Sequence, residues 1–284
     1  MTIAIVILNY NSTADCRKCI GHLKQQQGIE AEIVVVDNFS RDDECKVVEV
    51  LCRETECTFI ANNKNTGYNA GNNVGLRYAA EKGYEYALIA NPDMEFPQKD
   101  YLCKLVEKMQ EDENIVVCGS DIIGPDGIHQ SPMERDENWR GSLAWIKEIF
   151  SSRKQQDKYD FIDNYKESHY CHKVSGCCFM IRTDFLKKIG FFDEEVFLYC
   201  EEAILSRQVE LAGKKMYYLA TAQALHRHIK SEKSYPAKRF KAWGKSRCYF
   251  IDKYSGWPWL ARQIAKLSMK MYVLTFVLYS KLKR

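Results

Sequence analysis

The sequence predicts an α/β fold, a mainly parallel central sheet flanked by helices. Three observations predict it. Short runs of β-branched and apolar residues, such as Ile3–Leu8 and Ile33–Val36, suit strands buried on both faces. Between them lie stretches with apolar residues three and four apart, the spacing of a helix face. The two kinds alternate through the first half of the chain, an order that requires right-handed crossovers onto a parallel sheet. The length of 284 residues allows one large α/β domain with an appendage. A composition 46% hydrophobic and 28% charged excludes a disordered chain.

The elements follow in order. Ile3–Leu8 is the first strand. Ser12-x-x-Asp15 resembles a capping box, and Cys16, Cys19, Ile20 and Leu23 follow at helical spacing up to Gly28. Ile33–Val36 is the second strand, stopped by Asp37-Asn38. Ser40 is placed to cap a helix running through Val47, Val48 and Leu51. Thr58–Ala61 is a third strand, Tyr68 to Lys82 a helix with a Gly-rich start, Tyr86–Ala90 a fourth strand and Ile115–Cys118 a fifth. From Gly124 to about Tyr170 the chain turns polar with scattered aromatics and reads as an insertion or flap. Beyond it, Phe179–Ile181 and Met216–Leu219 read as strands. Phe185–Ile189 and Ala203–Ala212 read as helices closed by Gly190 and Gly213.

These boundaries divide the chain into residues 1–237 and an extension, 238–284. The first part splits into a half that binds the ligand (1–123), the variable insertion (124–172) and a second half (173–237). The extension differs in charge. Twelve Lys or Arg against the single acid Asp252 give it +11, leaving −8 on residues 1–237 to make the total of +3. Leu260, Ile264, Leu267, Met271, Leu274 and Leu278 form one apolar seam, with Arg262, Lys266 and Lys270 as a cationic stripe. Such a basic amphipathic helix is expected to meet an anionic membrane surface. Its charges recur too often for a span of about 20 apolar residues. Nucleic acid is disfavoured, because its readers need an exposed aromatic platform.

Twelve cysteines accompany an N-terminus with no basic region before its apolar run, so a cytoplasmic protein with reduced thiols is expected. Cys16-x-x-Cys19 has no second pair to complete a zinc site, and buried structural thiols are the expectation.

Ligands of open α/β sheets bind beyond the carboxyl ends of the strands. Four such ends are polar here: Asn9-Tyr10-Asn11, Asp37-Asn38, Asn62 to Gly67, and Asn91-Pro92-Asp93. Together they predict one crevice. The Asp37 carboxylate suits a nucleobase imide or a ribose hydroxyl. Gly67 to Gly71 lets backbone approach a ligand and opens a helix whose first amides favour anions. It is neither a Walker loop nor a dinucleotide fingerprint, which disfavours ATPases and dehydrogenases. Asp93 offers oxygen to a hard divalent cation bridging diphosphate oxygens.

The segments Ile5 to Asn11, Val35-Val36-Asp37-Asn38-x-Ser40, Asn65-x-Gly67-Tyr68-x-x-Gly71-Asn72-Asn73-x-Gly75 and Asn91-Pro92-Asp93 resemble glycosyltransferase family 2, most of all its bacterial rhamnosyltransferase-like members with the GT-A fold. Ser175-Gly176-x-Cys178-Phe179, Gly190 to Glu194, Phe197 to Glu202 and Ala224-Leu225-His226 continue the resemblance in the family's order. It implies a nucleotide-sugar site formed by Asn9, Tyr10, Asn11, Asp37, Asn65, Gly67, Asn73, Asn91 and Gly176. It implies Mg2+ or Mn2+ held by Asp93 and His226. Asn91 replaces the first carboxylate of the family's Asp-x-Asp motif. Glu202 matches the catalytic base, with Glu201 beside it as the other candidate.

The implied reaction is an inverting displacement that moves a sugar from a nucleotide-diphosphate donor to a glycan or lipid-linked acceptor at the inner face of the cell membrane. A nucleotidyltransferase would carry a Gly-rich loop with Arg and Lys after the first strand, where Asn9-Tyr10-Asn11-Ser12 stands. A non-catalytic nucleotide-sugar-binding module is the remaining alternative.

Overall fold

The computed structural model describes residues 2–134, 139–149, 164–227 and 236–282. The rest of the expected insertion, 135–138 and 150–163, lies outside the described residues, as do 228–235 before the extension. The order is β1 (Thr2–Asn9), α1 (Thr13–Leu23), β2 (Glu30–Asp37), α2 (Asp42–Glu54), β3 (Thr58–Ala61), α3 (Tyr68–Glu81), β4 (Tyr86–Ala90), β5 (Met94–Glu95), α4 (Tyr101–Glu111) and β6 (Ile115–Ile123). There follow α5 (Ala144–Ile149), β7 (His169–Cys171), β8 (Cys178–Arg182), α6 (Thr183–Ile189), α7 (Glu201–Leu211), β9 (Lys215–His226), α8 (Pro236–Lys253) and α9 (Trp259–Leu282).

One sheet holds the strands in the order β3-β2-β1-β4-β8-β6-β9-β5, with β7 also on β9. The first four strands are parallel, and so are β6 and β9. β8 runs antiparallel between β4 and β6, and β5 and β7 run antiparallel to β9. Apolar clusters cover both faces. Ile3, Ile5 and Ile7 face α1, α2 and α4, while Ala4 and Val6 face α3 and α6. Strands buried on both faces therefore read as continuous apolar runs.

Register makes the site edge. Asn9 lies beside Asp37, Asp37 beside Ala61, and Ile7 beside Ala90. The polar segments that follow β1 to β4 thus leave the sheet at one edge, as the strand ends predict.

Several expectations need correction. Arg41, not Ser40, is the N-cap of α2, and neither α2 nor α1 has a side-chain cap bond. The Ser40 hydroxyl is drawn to the strand ends, where it accepts from the amide of Asn11 and the side chain of Asn9. Ser12 donates to the Tyr10 carbonyl, so no capping box forms. Helix α7 begins at Glu201, two residues before the expected start, which brings both glutamates into its first turn. Strand β9 continues well past Leu219 and delivers His226 to the site. Helix α4, with Tyr101, Leu102, Leu105, Val106 and Met109 buried, was not anticipated; its Asp100 cap makes no side-chain bond that would mark a start.

Part of the insertion takes a definite place. In α5, Trp145 is buried against α9, donates its ring N–H to Ser268 and stacks on Tyr272. The extension forms a helical hairpin, and its Phe250, Ile251, Tyr254 and Ala265 share an apolar cluster with Val196, Ala203 and Ile204.

Candidate functional site

The first group surrounds Asp37. Its side chain is 1% exposed, with Oδ1 accepting from Asn9 Nδ2 at 2.8 Å and Oδ2 from the Ser40 amide at 2.9 Å. Asn9 itself is wholly buried, so it orients Asp37 instead of presenting its own amide to the crevice. Asn11 takes a left-handed conformation, φ 53°, and its Oδ1 accepts from the Arg41 amide at 2.9 Å. That bond ties the β1 exit to the start of α2. Tyr10 stands half out into solvent at the same edge, 51% exposed.

The second group is the loop before α3. Asn38 donates to Asn65 Oδ1 at 3.2 Å and to the Gly67 carbonyl at 3.2 Å, and accepts from Asn62 at 3.1 Å. Asn65 Oδ1 also accepts the Gly67 amide at 3.0 Å. Gly67 has φ 110°, a conformation side chains rarely adopt, and a Cβ there would collide with the Phe197 backbone. The Phe197 carbonyl accepts the Tyr68 amide at 2.8 Å, so this turn binds the segment that leads into α7.

Asn73, expected in the donor site, has another task. It is wholly buried, donates to the Phe192 carbonyl and Glu194, and accepts the Phe192 amide at 3.0 Å. Both ends of its amide are consumed in holding the 192–194 segment against α3.

Tyr68 joins the two halves of the chain. Its hydroxyl lies 3.0 Å from Asn91 Oδ1 and 2.7 Å from the Gly176 carbonyl. A Cβ on Gly176 would meet Glu202 Oε1 at 2.8 Å, so the bare glycine is what lets that carboxylate lie against the β8 end. Tyr68, Gly176, Glu201, Glu202, Phe192 and Met216 line one cavity. Burial, and then the neighbouring Glu202, push the Glu201 carboxyl up to about 8. Its Oε2 is shut off from solvent and has no hydrogen-bond partner among the described residues.

The third group is Asp93 with His226. The register of β5 and β9 aligns Met94 with His226, which brings His226 Nε2 to 3.3 Å from Asp93 Oδ1. The other ring nitrogen, Nδ1, lies 2.7 Å from Gln130 Oε1. Burial works against a charged imidazole, while the neighbouring Cys177 sulfur and the Asp93 carboxylate work for it. The balance raises His226 to about 10. Cys177 also accepts the Asn91 amide on its carbonyl at 2.8 Å, which links this group to the Tyr68 junction. Among the described residues no cluster of three His, Cys, Asp or Glu side chains is placed to hold a metal. Two protein donors stand here, and further ligands would come from elsewhere.

Three contributors escaped the sequence reading. Tyr68 stood inside a quoted motif without a role. Gln130 and Cys177 carried no signal, because each meets His226 only through tertiary structure. The twelve cysteines are free thiols here, with Cys16 and Cys19 buried.

The profile of Glycosyl transferase family 2 matches residues 4–190. A low-salt glycan biosynthesis hexosyltransferase of Haloferax volcanii, Agl10, is 27% identical over 201 residues. That match covers 70% of this chain and 59% of the relative, so this chain spans less than two thirds of that protein. The N-acetylglucosaminyl-diphospho-decaprenol L-rhamnosyltransferase of Mycobacterium tuberculosis is 22% identical over 269 residues, 89% of this chain and 85% of that one. The crystal structure of GalNAc-T7 with UDP, GalNAc and Mn2+ superposes with a TM-score of 0.64 at 17% identity. It covers 89% of this chain and 49% of the other, and shows the same fold.

Proposed function

This chain belongs to glycosyl transferase family 2, with the GT-A fold, and from that we propose that it moves a sugar from a nucleotide-diphosphate donor to an acceptor hydroxyl with inversion at the anomeric carbon. The donor is a UDP- or dTDP-sugar, with rhamnose or a hexose as the sugar. The acceptor is a glycan or a lipid-linked glycan met at a membrane surface. The observation that carries the reading is the Tyr68 junction. It joins the strand end bearing Asn91 and Asp93 to the strand end against which Glu202 lies.

Each group has a task in this reaction. Asp37, held by Asn9 and Ser40, receives the base or ribose. The Gly67 turn admits the diphosphate to the α3 N-terminus. Asp93 and His226 would hold a divalent cation, the carboxylate oxygen suiting Mg2+ or Mn2+ and the imidazole nitrogen being the softer donor. The manganese in the structural neighbour supports the choice of ion class. Such a cation would supply neutralisation of the charge on the leaving diphosphate. His226 would present Nε2 to it as a neutral imidazole, with Gln130 at Nδ1 keeping the ring in place.

Glu202 takes the proton from the acceptor hydroxyl as that oxygen attacks the anomeric carbon. The bond to the diphosphate breaks on the opposite face. Glu201, neutral near pH 7, withholds a second negative charge from the same cavity.

A panel of nucleotide-sugars tests the reading, first by thermal shift and then by release of nucleoside diphosphate with Mn2+ present. One donor should raise the melting temperature and be turned over. A donor that stabilises the protein but is never turned over, with any acceptor glycan, would leave a binding module in place of a transferase.

A further inference from the structure

Helix α9 leaves its apolar seam uncovered. Leu260 is 63% exposed, Leu267 61%, Leu274 58% and Leu278 51%. Ile264 and Met271 lie in the same row, and Trp259 and Tyr279 stand exposed at its two ends. The opposite face is occupied. Ala261, Ala265, Ser268, Met269 and Val277 are buried, with Ser268 on Trp145 of α5 and Phe276 stacked on Phe240 of α8. The hairpin therefore packs on the body with one face and presents the other to its surroundings.

Two occupants fit an exposed seam with steps of four and three: a second copy of the helix, or a lipid surface. Charge decides between them. Residues 259–282 contain Arg262, Lys266, Lys270 and Lys281 and no acid. The one acid of the hairpin, Asp252, is taken by Lys266 at 2.7 Å, and its carbonyl by Arg262. A second copy would bring cation against cation along the seam with no carboxylate to answer them. An anionic bilayer answers the exposed Lys270 and Lys281 and takes up the apolar row. The terminal Trp and Tyr are side chains that favour the membrane–water boundary. No helix among the described residues is long and apolar enough to cross a membrane, so the contact lies along the surface.

We propose that the exposed face of α9 is an interfacial docking surface for an anionic lipid bilayer, and that it carries the catalytic segment with it. The second part rests on Asp193. Its Oδ2 accepts from Tyr249 at 2.8 Å, Lys253 at 2.8 Å and Tyr254 at 2.6 Å, all on α8 or directly after it. Ser246 of α8 donates to the Leu198 carbonyl at 2.7 Å. The chain from 193 to 202 is thus fastened to the hairpin on one side and ends in Glu201 and Glu202 on the other. A bilayer that holds α9 sets where those carboxylates stand relative to a lipid-borne acceptor. This deepens the proposed function on its acceptor side alone.

Co-sedimentation of the full chain with vesicles tests it without reference to sugar transfer. Wild-type protein should pellet with vesicles containing phosphatidylglycerol and stay in solution with pure phosphatidylcholine. Raising the salt should release it. The triple variant Leu267→Glu, Met271→Glu, Leu274→Glu should bind at least roughly tenfold more weakly while keeping its circular dichroism and melting temperature. Should that variant fail to fold, the exposed pair Lys270→Glu, Lys281→Glu serves instead, with a loss of about tenfold or more expected. Wild-type protein that ignores anionic vesicles overturns the proposal. So does a wild-type dimer in sedimentation velocity that the triple variant turns into monomers while vesicle binding is unchanged. Transfer activity measured on a water-soluble acceptor is independent of all these outcomes.

Discussion

Glu201 and Glu202 are neighbours in sequence, yet their surroundings give them different chemistry. Glu201 is pushed up to about 8 by burial, so it holds its proton where Glu202, against Gly176, faces the cavity. The raised value has a consequence for stability. The folded chain keeps a proton that the unfolded chain loses above about 4.5, so stability is full below that pH and is lost as pH rises towards 8. Glu201→Gln should flatten that part of the profile in urea unfolding followed from pH 4.5 to 8.5; an unaltered slope would mean the carboxyl is ionised throughout. Gly176→Ala probes the other carboxylate. The added methyl meets the far end of a flexible side chain, so the protein should fold normally while kcat falls by about 100-fold with donor affinity kept. Steady-state kinetics beside calorimetric donor binding separate the two effects. Wild-type kcat in a folded variant would mean that Glu202 does not need its place against β8.

At the scale of elements, the strands were legible and the fastenings between them were not. β1, β2 and β4 announce themselves because burial on both faces demands unbroken apolar runs. Their polar ends stand out for the same reason, since a hydrophilic residue closing such a run needs polar partners, as Asn9 and Asp37 find in each other. The joints are invisible from sequence. Tyr68 and Gly176 are 108 positions apart, and His226 and Gln130 are 96 apart. Ser40 misled for a physical reason: its hydroxyl is a good helix cap, but the strand end beside it offers closer partners. Asp193 is another hidden joint. Its side chain is 5% exposed, and Lys253 and Tyr254 outweigh burial to hold its carboxyl below the usual range. Asp193→Asn should cost about 2 kcal/mol of stability, the charge-assisted share of that cluster. The loss should vanish as pH falls through the acid range, because the wild type forfeits the same stability when the carboxylate is protonated. Guanidinium titrations of both proteins at pH 7 and pH 3 measure it, and an equal gap at both values would remove the cluster from the ledger of the α8 junction.

Across the whole molecule, an α/β body of negative charge carries a cationic hairpin, and the segment ending in Glu201 and Glu202 lies between them. The division of charge was readable from composition, as was the amphipathic tail. The insertion was not readable, because polar sequence with scattered aromatics has no period, and α5 is placed by a tertiary contact, Trp145 on α9. The central proposal is that Glu202 is the base of a sugar transfer whose donor is held by Asp37, Asp93 and His226. The most direct measurement is donor-dependent release of nucleoside diphosphate by wild type and Glu202→Gln, with donor binding followed in parallel. The account predicts a loss of about 100- to 10,000-fold in kcat with donor affinity within about twofold of wild type. Full turnover by Glu202→Gln, or its loss in Glu201→Gln with Glu202 intact and the fold unchanged, would contradict it.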